Sequence, residues 1–115
     1  MTEREAWIAF SAFPQIGPAR FTLLRKYFGT ARAAWKASIK EYEKIGFSQK
    51  LISLFEDFRT RQFDINSYLL RLNTHGVQVV TSEDKEYPER LKNIDDKPFI
   101  IYVRKSTTPL RQGFA

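Results

Sequence analysis

The sequence predicts a mainly α fold, a helical bundle over residues 3–75 followed by a short α/β extension. Three observations predict it. The apolar periodicities before Gly76 are helical, with aromatic and aliphatic residues recurring at three- and four-residue spacing. These segments are bracketed by cap-forming residues and by Pro or Gly. After Gly76 the pattern changes to two short β-branched runs separated by polar turn material.

The first helix is expected over Glu3 to Phe13, with Ala6, Trp7, Phe10 and Phe13 on one stripe, Thr2 as N-cap and Pro14 as stop. Pro18, at the favoured first-turn position, opens a second helix that carries Phe21, Leu24 and Phe28 and stops at Gly29. Thr30 caps "ARAAWKA" and Ser38 caps "IKEYEKI", two short helices placing Trp35 and Tyr42 inward, and Gly46 closes the second. Ser48 caps a helix from about Gln49 to Arg59 with Leu51, Phe55 and Phe58 on one stripe. Asp64 caps the sixth, which ends at Gly76 beside His75. "VQVVT" and "FIIYV" read as strands, apolar on both faces, expected to be incompletely covered and to pair with each other or with another chain, so a homo-oligomer stays open. Between them Tyr87 anchors a turn, and Pro88 takes the first position of a short helix through Leu91. The natural cut lies at residues 74–77, giving 1–76 as a helical domain and 77–115 as the extension.

Composition narrows the function. With 43% hydrophobic and 28% charged residues the chain reads as a soluble globular domain. No apolar run approaches the roughly 20 residues of a membrane span, and "MTEREAW" puts two acids where a secretory leader would have bases, so a cytoplasmic location is expected. There is no cysteine and His75 is the single histidine, which argues against disulfides, thiolate or histidine metal sites and Cys/His catalysis. No metal and no cofactor is expected. Glu83, Asp84, Glu86 and Glu89 read as a solvated loop rather than a metal site.

The net charge of +6 is uneven: residues 1–76 hold 12 Lys/Arg against 7 Asp/Glu, and residues 77–115 hold 7 against 6. Between Arg20 and Lys50 stand 8 cations and two acids, Glu41 and Glu43. This is either the footprint of a polyanion or a solvated Lys-rich face. The same region contains an echo: "PQIGPARFTLL" and "EKIGFSQKLIS" place Ile-Gly pairs 29 residues apart, each followed by a cation, Arg20 or Lys50, and an apolar stripe. The echo resembles a duplicated helix-hairpin-helix, a unit that holds a DNA phosphate at the unpartnered N–H groups opening its second helix. Gly17, Arg20, Arg25, Lys26, Gly46 and Lys50 are the candidate nucleic-acid-binding residues. Gln15 and Phe47 depart from the glycine-rich hairpin pattern and Pro18 removes one donor, so the turns can equally be structural corners. The aromatic residues at helical spacing are read as core, not as base-stacking platforms.

The order of the pieces, "WIAFSAFPQIGPARFTLLRKYFGTARAAWKAS" and then "GVQVVTSEDKEYPERLKNIDDKPFIIYVR", resembles the amino-terminal part of the DNA-processing protein A (DprA/Smf) family. The most specific segments are Tyr87 to Leu91 and Pro98 to Arg104. The resemblance implies a helix-hairpin-helix or SAM-like helical domain leading into a Rossmann-like domain, of which residues 77–115 would hold the first strands and turn. It implies no catalysis, a protein of natural transformation and competence that binds single-stranded DNA, and help in loading the RecA recombinase for DNA recombination. It places the main DNA pocket after "LRQGFA", beyond Ala115, and leaves this part either as an accessory DNA-contacting module or as a protein-interaction or structural module.

Overall fold

Thr2 opens the first helix as the sequence requires: its hydroxyl accepts from the Glu5 N–H at 3.1 Å, and the Glu5 carboxylate accepts from the Thr2 N–H at 2.9 Å. The computed structural model describes residues 1–104, and the remainder of the expected extension, with its "LRQGFA" end, lies outside them. Six helices follow in order: α1 (Glu3–Ser11), α2 (Pro18–Phe28), α3 (Ala31–Lys36), α4 (Ile39–Lys44), α5 (Gln49–Asp57) and α6 (Ile65–Thr74). Two strands close the described chain, β1 (Val77–Thr81) and β2 (Ile100–Arg104). The fold is thus mainly helical with a small sheet, as expected.

Most caps act as read. Thr30, Ser48 and Asp64 each accept an N–H three residues on, from Ala33, Leu51 and Ser67. Ser38 stands at the start of α4 without a side-chain capping bond. α1 ends two residues before Phe13, because Pro14 disfavours helical backbone at the residue preceding it. α5 does not run to Arg59; it passes at Phe58 into a five-residue π turn, Phe58–Gln62, closed by the Phe63 N–H on the Phe58 carbonyl at 2.9 Å. The wider turn accompanies a stacking of Phe58 on Phe63, centroids 5.3 Å apart, and Arg59 bonds the Trp35 carbonyl at 2.7 Å.

The core is aromatic. Phe10 of α1 meets Phe21, Trp35 and Phe55 at centroid distances of 5.6, 5.1 and 5.7 Å, joining α1, α2, α3 and α5 at one point. Tyr42 of α4 is buried against Phe55, its hydroxyl donating to the Ala34 carbonyl, and burial raises its pKa. Trp35 is half-buried rather than fully inward.

β1 and β2 pair with each other, antiparallel, Val77 opposite Arg104 and Thr81 opposite Ile100. Coverage is graded along the ladder. Thr81 and Ile100 are buried at the end that meets the helices, while Tyr102 and Val103 are 39% and 42% exposed toward the other. Phe99 stacks on Phe21 with centroids 3.9 Å apart, so residues beyond Gly76 share the core of the bundle. Arg4 adds a clamp, bonding Asp84 at 3.0 Å and the Val79 carbonyl at 2.7 Å. Tyr87 is buried and donates to the Pro98 carbonyl at 2.8 Å, anchoring the turn. Pro88 stands one position earlier than expected, as the residue before a 3-10 turn over Glu89–Leu91.

Candidate nucleic-acid interface

The two Ile-Gly corners are built differently. Gly17 precedes α2 with φ −93° and ψ −170°, an extended backbone that suits any residue before a proline, and a Cβ there would meet nothing within 4 Å. Gly46 follows α4 with φ +88°, the left-handed region that favours glycine. Its N–H returns to the Glu43 carbonyl at 3.1 Å, and Phe47 packs half-buried on Tyr42. At the first corner Pro18 supplies no N–H, and the first bond into the helix is Phe21 N–H to Gly17 carbonyl at 2.9 Å, so Ala19 and Arg20 present the helix-opening donors. At the second, Ser48 takes the Leu51 N–H, and Gln49 reaches back to Glu43 at 2.9 Å.

These geometries predict opposite responses to a methyl group. Gly46→Ala should cost about 1–2 kcal/mol for left-handed backbone. Gly17→Ala should change stability by no more than about 0.5 kcal/mol, the poorer cap offset by a stiffer unfolded chain. Denaturant unfolding of both variants checks this, and equal losses would contradict it.

The cations divide into two groups. Arg25 lies over the Trp7 ring at 4.4 Å and pairs with Glu83 at 3.0 Å, with its Nε buried, so it ties α2 to the extension. Lys44 pairs with Glu41 at 3.4 Å. The other six of the eight cations between Arg20 and Lys50 (Arg20, Lys26, Arg32, Lys36, Lys40 and Lys50) are exposed, and none has an ion-pair partner among the described residues. Arg20 donates to the Gln15 carbonyl at 2.9 Å, which folds its guanidinium back over the first corner.

Acids temper the first corner. Pro18, Ala19 and Thr22 line a cleft of about 420 Å³ together with Glu83, Asp95 and Asp96, whose charges oppose an anion at the start of α2. Glu83 and Asp84, read as a solvated loop, instead anchor Arg25 and Arg4. Asp84 is held below the ordinary carboxylate range, chiefly by the Thr81 N–H and further by Arg4. Among the described residues no group of three or more His, Asp or Glu is placed to hold a metal ion. No described helix is long and apolar enough to cross a membrane. What the surface offers is positive charge and helix-opening N–H groups.

Sequence reasoning assigned aromatic residues to the core and passed over Tyr27, which is 47% exposed beside Leu23 at 42%. The signal was present: Tyr27 falls off the Phe21, Leu24, Phe28 stripe of α2.

One curated relative is Smf of Synechocystis sp., 29% identical over 104 residues that make up 88% of this chain. The chain spans about a quarter of that relative's length. The resemblance to the DNA-processing protein A (DprA/Smf) family is thereby borne out as homology. No family model matches the chain, and no solved structure matches it at a significant level.

Proposed function

We propose, from the premise that the chain is a homologue of Smf and so related to the DNA-processing protein A family, that it is a non-catalytic accessory module contacting the DNA backbone. The whole protein would bind single-stranded DNA in the cytoplasm during natural transformation and help load RecA. In this reading residues 1–76 are the accessory helical domain, 77–115 begin the Rossmann-like domain, and the principal DNA grip lies beyond Ala115. One observation supports the module's role: six exposed cations between Arg20 and Lys50 that have no ion-pair partner among the described residues, with helix-opening N–H groups at α2 and α5 beside Arg20 and Lys50. Arg25, held by Glu83, is left out of the binding set.

The test is a salt titration of binding to labelled single-stranded and duplex oligonucleotides. Two to four phosphate contacts should give a log–log slope of about −1.4 to −2.8 on single strands, at −0.7 per phosphate. Arg20→Glu with Lys50→Glu should abolish binding while leaving the melting temperature in place, since both residues are exposed. Parental affinity and slope in the double variant would overturn the role of the corners. A protein-interaction module is the second reading, supported by Leu70, 66% exposed on α6, and by the uncovered end of β2. It gains if the chain binds no DNA at low salt.

A further inference from the structure

The outward face of α2 has a composition that the packing of the bundle does not account for. Phe21 and Leu24 point into the core and Arg25 and Phe28 flank them, which leaves Ala19, Arg20, Thr22, Leu23, Lys26 and Tyr27 on the opposite arc, all exposed. At 100° per residue, Leu23 falls near the middle of that arc and Tyr27, one turn on, lies toward the edge marked by Arg20, with Lys26 on the other side of Leu23. Tyr27 makes an edge contact with Phe28, centroids 4.9 Å apart and rings at 80°, and stacks face to face with no aromatic ring among the described residues. α2 carries three cations and no acid. α3, which packs beside it, adds Arg32 and Lys36, both exposed and without an ion-pair partner among the described residues.

We infer that this face is a single-stranded nucleic-acid surface on which Tyr27 stacks a base, Leu23 lies against the neighbouring sugar or base, and Lys26 and Arg20 hold phosphates. The inference rests on the proposed DNA-contacting role and specifies the residues and the strand form. Charge selects the occupant: the ionic groups that α2 itself places on this arc, Arg20 and Lys26, are both positive and complement a polyanion, while Glu83, Asp95 and Asp96 border the arc only at its Ala19 and Thr22 edge. The exposed ring selects the strand form, because the flat faces of bases are open to stacking in a single strand and closed within a duplex. Stacking on one aromatic ring tolerates every base, so sequence preference should be weak.

The test compares the 115-residue chain with Tyr27→Ala and Tyr27→Phe, by fluorescence anisotropy on a labelled oligothymidine and on a duplex of the same length. Tyr27→Ala should weaken single-strand binding by roughly 5- to 150-fold, leave duplex binding at the parental level and leave the single-strand salt slope unchanged. Tyr27→Phe should bind as the parent does. Thermal unfolding of Tyr27→Ala should show a cooperative transition only modestly below the parent's, since the residue is 47% exposed and its ring touches Phe28 at the edge. If the parent binds single strands and Tyr27→Ala binds them equally well, this inference is overturned while the DNA-contacting role stands. Equal losses on single strand and duplex also overturn it, because stacking cannot explain them. If the parent binds neither form at low salt, both readings fall.

Discussion

Replacing Phe10 by Ala should lower the free energy of unfolding by about 3–5 kcal/mol. The side chain has no solvent exposure, and its ring is the meeting point of Phe21 from α2, Trp35 from α3 and Phe55 from α5. Truncation removes the transfer energy of the ring and leaves a cavity among three other rings whose own helices hold them in place. Collapse into that space would require α2, α3 and α5 to move together, which puts the expected loss toward the upper part of the range. Against the 5–15 kcal/mol typical of a whole domain, such a loss brings the chain close to unfolding at ordinary temperature. Urea unfolding followed by tryptophan fluorescence measures it. Leu23→Ala, on the exposed face of α2, is the control and should shift stability by no more than about 0.5 kcal/mol. A loss below about 1 kcal/mol for Phe10→Ala would contradict the packing described.

Features that depend on neighbours in sequence were legible. Thr2, Thr30, Ser48 and Asp64 cap because a hydroxyl or carboxylate reaches an N–H three residues on, and nothing distant is needed. The same holds for the aromatic stripes and for Gly29 and Gly76, whose positive φ values end α2 and α6. Features that join distant segments were not. The partner of Arg25, Glu83, is 58 residues away, and the π turn after α5 goes with contacts of Arg59 and Phe63 to the distant Trp35 that no local pattern encodes. The candidate surface shows the same division. Arg20, Lys26 and Lys50 are exposed, as their positions on amphipathic helices imply, whereas Arg25 lies beside Phe21 on the wheel and is drawn over Trp7. The Rossmann-like character proposed for residues 77–115 came from resemblance alone, and the described strands form a two-stranded antiparallel pair packed on the bundle.

Removing the carboxylate of Glu3 should be the second most damaging change, through a helix to which Glu3 does not belong. Its two oxygens accept the N–H groups of Ala31 and Arg32, both at 2.8 Å, and the Trp7 indole N–H at 3.1 Å. The carboxylate thereby serves as a second cap for α3, beside Thr30, and meets the positive end of that helix. Glu3→Ala strands these donors, at a cost of about 1–3 kcal/mol. Burial works to raise the Glu3 pKa, but the Arg32 and Ala31 N–H groups, the Trp7 indole and the charge of Arg25 outweigh it, and the pKa falls below the ordinary 4.5. A carboxyl whose folded pKa is depressed contributes stability that is complete above its unfolded value and is lost as pH drops through the folded one. The stability difference between the parent and Glu3→Gln should accordingly be constant from neutral pH down to about 4.5 and shrink below it. Asp64 and Asp84 are depressed as well, so both proteins weaken in acid, and the difference between them isolates Glu3. Denaturant unfolding at stepped pH measures that difference. A gap that stays constant through the acid range would show that the carboxylate charge is not what holds the start of α3.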